Sequence, residues 1–472
     1  MASQVQPERI HVHKDHVPVD GNYVLYWMQA SARTRHNPAL EYAIESANEL
    51  GLPLLVCFVV TDNYPEASLR HYRFLLEGLC DVAHGLAERR IGFVVKHGDP
   101  AEVAISLAED AASLVIDRGY LRPHRRWRRD VVRAVDLPIV EVEGDVVVPV
   151  ETVSDKREFA ARTIRPRIHR HLDRFLVPLH PSPVASDGRS LGRGGLDVCN
   201  VDRVLDGLDI DRSVAAVSHH QGGERNATAA LDEFLGKSFS TYDEHRNQPQ
   251  TDSVSYMSMY LHYGHISPVF VALCATRAGA ARQDLDSFVE ELIVRRELAF
   301  NYAWFEPRYD SYSALPEWAR NTLQDHRDDV RDFVYTRSEL EAAATHDPYW
   351  NACMVEMRET GYMHNYMRMY WGKKILEWTN TPEYAYRTCL YLNNKYLLDG
   401  RDPNSYTGVG WVFGLHDRPW TEREVFGKTR YMNAAGLRRK ADPDCYVAKV
   451  EDRTGLTIAG KGDDGAQTTL QV

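Results

Sequence analysis

At 472 residues the chain is long enough for two or three domains and a sizeable core. Its composition, 44% hydrophobic and 26% charged, is that of a globular protein, and no apolar run reaches the roughly 18 residues a membrane span needs. The net charge of −11 excludes a uniformly basic nucleic-acid coat but not a local basic patch.

The opening residues, MASQVQPERIHVHKD, are polar and carry no secretory apolar stretch; residues 1–20 read as a flexible N-terminus. The cysteines at 57, 80, 199, 274, 353, 389 and 445 are odd in number and never form a C-x-x-C pair. They read as reduced thiols in a cytoplasmic setting, without a metal site or a disulfide framework.

From 21 to 180 short apolar runs alternate with amphipathic stretches. NYVLYWM (22–28), LPLLVCFVV (52–60), IGFVVKHG (91–98), SLVIDRG (113–119) and LPIVEVEG (137–144) have the length and β-branched content of buried strands. NPALEYAIESANEL and LRHYRFLLEGLCDVAHGLAERR between them repeat apolar residues at helical spacing. This alternation predicts an α/β domain with a parallel, Rossmann-like sheet covered on both faces. Neither G-x-G-x-x-G nor a P-loop occurs, so a ligand here belongs in the crevice at the carboxyl ends of the strands. The run RPHRRWRRD (122–130) is strongly basic, although a solvated surface accounts for it as well.

Residues 181–228, opening on HPSPVASDGRSLGRGG, read as an interdomain linker. From 229 to 452 the pattern is helical, and seven of the nine tryptophans lie there. Residues 453–472 read as a polar tail. The sequence predicts one helix across GYMHNYMRMYWGKKILEW (361–378), on which Arg368, Trp371, Ile375 and Trp378 share a face. Trp371 and Trp378 then stand about 10 Å apart along the axis. Spacing alone favours a plain core helix, but a guanidinium on that face needs an acidic partner, at Asp399 or Asp402. Ser255 and Ser258, ahead of a helix-like stretch, suit a phosphate or a simple N-cap. Glu291 and Arg295 have the spacing of an ordinary helical ion pair. Gly427–Lys440 holds five basic residues and no acid.

Taken together, these segments resemble the class II branch of the photolyase/cryptochrome superfamily. The resemblance rests on MHNYMRM (363–369), EELIVRREL (290–298), THDPYWNA (345–352), RMYWGKKILEW (368–378), LDGRDPN (398–404) and FGKTRYMN (426–433). VLYWMQASARTRHNPALEYA (24–43), RHYRFLLEGL (70–79) and SDKREFAARTIRPRIH (154–169) extend it through the first domain. It implies a photolyase-type α/β domain followed by an all-α domain that holds FAD, active as FADH⁻. The implied reaction is light-driven splitting of cyclobutane pyrimidine dimers in double- or single-stranded DNA. The implied protein is a cytoplasmic monomer that associates with the nucleoid when bound to DNA, with no membrane partner.

Carried over by position, Tyr242 and the Ser255–Tyr256–Met257–Ser258 turn hold the FAD phosphates. Arg368 and Asp399 pair beside the isoalloxazine, Asn393 faces its N5, and Asn365 and Met369 line the ring. Arg295 contacts either the flavin or the lesion. Trp371, Trp350 and Trp378 form the electron-transfer path. Glu291 hydrogen-bonds the dimer carbonyls, with Asn247 and Trp411 in the lesion pocket and Trp411 as its stacking face. Arg246, Arg418, Trp420, Lys428, Arg430, Arg438, Arg439 and Lys440 meet DNA. The resemblance also raises an antenna chromophore in the first domain, with deazaflavin, folate and flavin as alternatives. Met259 replaces a proline common in relatives, Asn365 a glycine, and Val294 stands where class I enzymes have tryptophan. Rival readings are a cryptochrome-like photoreceptor, a (6-4) photoproduct enzyme, for which no histidine pair is found, and a flavin oxidoreductase that works in the dark.

Overall fold

The computed structural model describes residues 3–192 and 194–460. The end of the expected polar tail, residues 461–472, lies outside the described residues. The five apolar runs form β2 (Tyr23–Trp27), β3 (Leu54–Val60), β4 (Gly92–His97), β5 (Ala111–Asp117) and β6 (Ile139–Val142), joined by a further strand, β1 (Ile10–Lys14). The sheet order is β1-β6-β5-β2-β3-β4. β2 to β6 pair in parallel, and β1 pairs antiparallel with β6. The expected flexible N-terminus therefore supplies an edge strand. Its sequence, IHVHK, has no apolar run because both of its faces are partly exposed.

Four helices, α1 (Pro38–Leu50), α2 (Leu69–Glu88), α3 (Pro100–Ala108) and α4 (Arg122–Ala134), make the crossovers. Alternate strand residues go to opposite faces. Val24, Tyr26, Val56 and Phe58 pack with Leu40, Ile44, Leu76 and Leu79 of α1 and α2. Leu25, Trp27, Leu55 and Cys57 pack with Ala104, Ala108, Trp127 and Val131 of α3 and α4. Both faces are thus buried, which is why these strands read as unbroken apolar runs.

The described chain divides into two compact units whose bounds differ from those expected. The first unit includes residues up to Ala216, and also 221–240 and 255–307; the second includes 217–220, 241–254 and the chain from Arg308 onward. Most of the expected linker belongs to the first unit. Val198, Val204, Leu205, Leu208 and Ile210 are buried in the core cluster that contains Leu76 and Leu79. Ser and Gly dominate this segment's composition, yet five well-placed apolar residues are enough to dock it.

In the second unit, four helices start on an acid or threonine followed by proline: Asp347-Pro348, Thr381-Pro382, Asp402-Pro403 and Asp442-Pro443. Each cap side chain accepts from a backbone N–H of the first turn, and proline at the first helical position forfeits no hydrogen bond. The helix Pro348–Thr360 packs against Asn365–Glu377 and Pro443–Thr454.

The cysteine expectation needs correcting. Cys80 of α2 and Cys199 are joined by a disulfide, across a sequence separation of 119. Nothing in their spacing signals it, because tertiary packing brings the two together. Among the described residues, no helix is long and apolar enough to cross a membrane.

Candidate active site

The second unit assembles the aromatic and charged residues around the helix Asn365–Glu377. His364 caps it, its side chain accepting from Tyr366 N at 3.2 Å. One turn in, Arg368 donates from Nε to Met363 O at 2.9 Å and from Nη2 to Asp399 Oδ2 at 2.9 Å. Of the two acids the sequence offered, Asp399 is the partner. Asp402 instead caps the helix Pro403–Val412. Burial works to lower the Arg368 pKa, but the Asp399 carboxylate outweighs it and holds the guanidinium above its ordinary value. The second carboxylate oxygen, Asp399 Oδ1, is buried and has no hydrogen-bond partner among the described residues. Asn393 is buried and donates to Asn394 Oδ1 at 3.1 Å. Asn365 is exposed at the first position of its helix, and Met369 is half-buried one turn later.

The three tryptophans expected to carry electrons are contiguous. Trp350 is fully buried and donates from Nε1 to Trp371 O at 3.0 Å. Its ring lies 5.8 Å from that of Trp378 at an interplanar angle of 65°. Trp378 is only 2% exposed. Its outer edge packs on His346 at 5.0 Å and on Tyr335 at 5.5 Å. The sequence reading missed both rings. The indole N–H of Trp371 is buried without a partner among the described residues.

A second constellation spans the end of the helix Pro403–Val412 and the loop after it. The Arg430 guanidinium stands 4.9 Å from the Trp411 ring and 4.2 Å from the Trp420 ring. Arg418 lies over the Trp420 ring at 4.7 Å, and Trp420 is 37% exposed. Asp417 Oδ2 accepts from both Arg430 Nε and Trp420 Nε1 at 3.2 Å, which fixes the stack. A cavity of about 750 Å³ opens beside it, lined by Trp420, Arg423, Arg430, Tyr431, Arg439 and Lys440 among others, with no acidic residue. Lys428 is exposed near Glu422. Arg438 is turned away from this group and donates to Tyr349 Oη at 2.7 Å. Arg246 stands over the buried Tyr242 at 5.9 Å, and Asn247 is exposed.

In the first unit, Ser255 Oγ accepts from Met257 N at 3.4 Å, and Tyr256 takes a left-handed conformation with φ 53°. Met257 is buried and Ser258 exposed. Glu290–Arg295 is a π-helical turn, a form concentrated at functional positions, and it carries Glu291. Arg295 donates to Glu290, five residues back, at 2.9 Å, in the register of a π turn. Arg165 holds the same carboxylate. The basic run at 122–130 is largely structural. Arg125 donates to Trp304 O at 2.9 Å, and Arg128 pairs with buried Glu141 at 3.1 Å. At the switch point between β2 and β5, Asp117 Oδ2 accepts from the amides of Gln29, Ala30 and Ser31 at 2.9–3.0 Å. The protein's own carboxylate thus takes the amides that a ligand would meet in that crevice.

Comparison with known proteins places this architecture. The sequence model described as DNA photolyase matches residues 24–186. A deoxyribodipyrimidine photo-lyase of Methanothermobacter thermautotrophicus is 50% identical over 430 residues, covering 91% of this chain and 95% of that protein. One from Oryza sativa is 40% identical over 474 residues, covering 96% and 92%. A class III photolyase structure from Agrobacterium tumefaciens superposes with TM-score 0.70 at 18% identity, covering 92% of this chain and 87% of that one. An archaeal photolyase from Sulfolobus tokodaii, solved with two FAD molecules, gives 0.66 at 15% identity, covering 90% and 89%. The chain belongs to the DNA photolyase family.

Proposed function

We propose that this protein is a light-driven deoxyribodipyrimidine photo-lyase of the class II type, with FAD as its cofactor and dimer-containing DNA as its substrate. The observation that carries this is the Arg368–Asp399 pair, whose buried Asp399 Oδ1 has no partner among the described residues and lies in the same unit as a chain of three buried tryptophans. A buried acceptor with no protein partner costs about 1–3 kcal/mol, a cost a ligand N–H removes. A guanidinium, a carboxylate and the Asn393 amide are the donors and acceptors that a flavin ring requires.

When bound, FAD in its reduced anionic form would supply light-driven electron donation to the dimer and would take the electron back once the two bonds of the cyclobutane ring have broken. The chain's own residues do the remainder. Arg368, Asp399 and Asn393 hold the ring, with Met369 and Asn365 beside them. Tyr242 and the Ser255–Ser258 turn hold the phosphates, and Arg295 contributes its charge to either flavin or lesion. Trp371, Trp350 and Trp378 relay electrons inward so that the cofactor can be returned to its active state. Glu291 donates a hydrogen bond to the dimer carbonyls where charge develops. Asn247 and Trp411 receive the flipped dimer, Trp411 by stacking. Arg246, Arg418, Trp420, Lys428, Arg430, Arg438, Arg439 and Lys440 bind the DNA backbone and the gap left in it. This local basic face reconciles DNA binding with a net charge of −11. Any antenna chromophore would sit in the first unit, with deazaflavin, folate and flavin as the alternatives, and the protein acts as a cytoplasmic monomer.

The test is an absorption spectrum of the purified protein before and after blue light, followed by matched assays on cyclobutane-dimer and (6-4)-photoproduct DNA. The reading requires a flavin spectrum and activity on the cyclobutane lesion alone. A flavin-free protein, or one that repairs only the (6-4) lesion, contradicts it.

A further inference from the structure

Five of the seven cysteines are unbonded, and among them Cys57, Cys353 and Cys389 are buried. The other two stand apart. Cys80 is half-buried and Cys199 exposed, and the exposed His84 lies beside them. Cys80 and His84 are four residues apart on α2 and so share one helical face. Cys199 comes from the neighbouring turn, which is set by two anchors. Val198 is buried in the core cluster, and Asn200 caps the helix Val201–Asp206 with its side chain. That helix packs against α2. The His84 ring places Nδ1 3.9 Å from Cys80 Sγ and Nε2 3.9 Å from Cys199 Sγ. One ligand atom from each of the three residues falls within 4.8 Å of the others.

We propose that Cys80, His84 and Cys199 form a redox-gated site for a thiophilic divalent cation of the zinc type. The disulfide is its closed form. The open form follows reduction: two thiols supply two electrons and two protons to the S–S bond and leave as a disulfide, or a phosphine supplies the two electrons and leaves as its oxide while water supplies the oxygen and the two protons, and either route gives two free thiols. The cation then binds the two sulfurs as thiolates and one imidazole nitrogen, and two protons pass to solvent. Zinc–sulfur bonds of about 2.3 Å and zinc–nitrogen bonds of about 2.0–2.1 Å put tetrahedral ligand atoms roughly 3.3–3.8 Å apart. Only one imidazole nitrogen can bind the cation, and it stands 3.9 Å from one sulfur and within 4.8 Å of the other, so a turn of the exposed His84 ring and the parting of the sulfurs once their bond is gone bring the three ligands to that spacing. Three protein ligands at a solvent-accessible place leave the fourth position to water. Thiolate and imidazole ligands favour zinc over magnesium or calcium.

The site is independent of the flavin and lesion residues, so its test can keep repair as a control for folding. The FAD-loaded full chain is reduced with a phosphine, freed of reductant and titrated with Zn²⁺ by calorimetry, beside an oxidised sample. Thiol counting under native conditions runs in parallel. The expected results are two additional reactive thiols after reduction, and one more Zn²⁺ bound per chain than in the oxidised protein. Cys199→Ser should abolish that extra site. His84→Ala should keep the disulfide, as read by mass spectrometry, and weaken Zn²⁺ at least tenfold, with light-dependent repair unchanged in both variants. Equal zinc binding before and after reduction overturns the proposal. So does His84→Ala binding zinc as the parent does, or an unchanged thiol count.

Discussion

Arg368 and Asp399 meet at 2.9 Å through one carboxylate oxygen, while the other carboxylate oxygen is buried with no partner among the described residues. The pair is therefore complete as a salt bridge and incomplete as a hydrogen-bonding group. Asp399→Asn keeps the volume but leaves the guanidinium without its counter-charge. Breaking one side of a fully buried pair costs about 3–5 kcal/mol, and the half-buried Arg368 places this pair below that range. The expected outcome is a several-fold drop in FAD per chain with a lower melting temperature, measured by flavin absorbance and calorimetry. Full flavin content in a stable variant would remove Asp399 from the site.

The tryptophan path makes a separable prediction. Trp371→Phe retains an aromatic ring at a position that is 4% exposed but has a higher oxidation cost. Photoreduction of the oxidised cofactor should fall at least tenfold, while protein reduced chemically beforehand repairs at nearly the parental rate. Loss of both activities would make Trp371 a packing residue only.

Arg430 lies over both Trp411 and Trp420 and is fixed by Asp417. Arg430→Gln removes one cation from the basic cavity and frees both indoles. DNA affinity should weaken, and the slope of log affinity against log salt should fall by about 1. An unchanged salt slope would show that Arg430 braces the tryptophans without meeting a phosphate.

Lys373, fully buried on the same helix as Trp371, donates to Val412 O. Burial pushes its pKa down to about 7 from the ordinary 10.5. The unfolded chain therefore binds the proton more tightly between those values, and stability rises with pH across that window. Below the lower value both states are protonated and the contribution is flat. Lys373→Met should remove a slope of at most roughly 1.4 kcal/mol per pH unit, read from denaturant midpoints between pH 7 and pH 10. The same slope in the variant would assign it to other groups.

The strands β2 to β6 were legible because a sheet buried on both faces leaves apolar runs that no surface element imitates. β1 was not, since IHVHK is a half-exposed edge. Arg368's need for an acid was legible from the physics of a guanidinium on a core-facing helix side, while spacing left Asp399 and Asp402 open and the fold pairs it with Asp399. The π turn at Glu290–Arg295 leaves no signature in a helical apolar pattern, so the sequence suggested i, i+4 pairing where Arg295 reaches Glu290. The Cys80–Cys199 bond, the approach of His84 to Cys199 and the Lys373–Val412 contact join residues distant in sequence, and only folding reveals them.

The central claim is that light drives the splitting of the dimer. Its most direct measurement uses an oligonucleotide with one cyclobutane thymine dimer, incubated with reduced, FAD-loaded protein in matched lit and dark samples. The account predicts two intact thymines in an unbroken strand after illumination and none in the dark. Equal product in the two samples would contradict it.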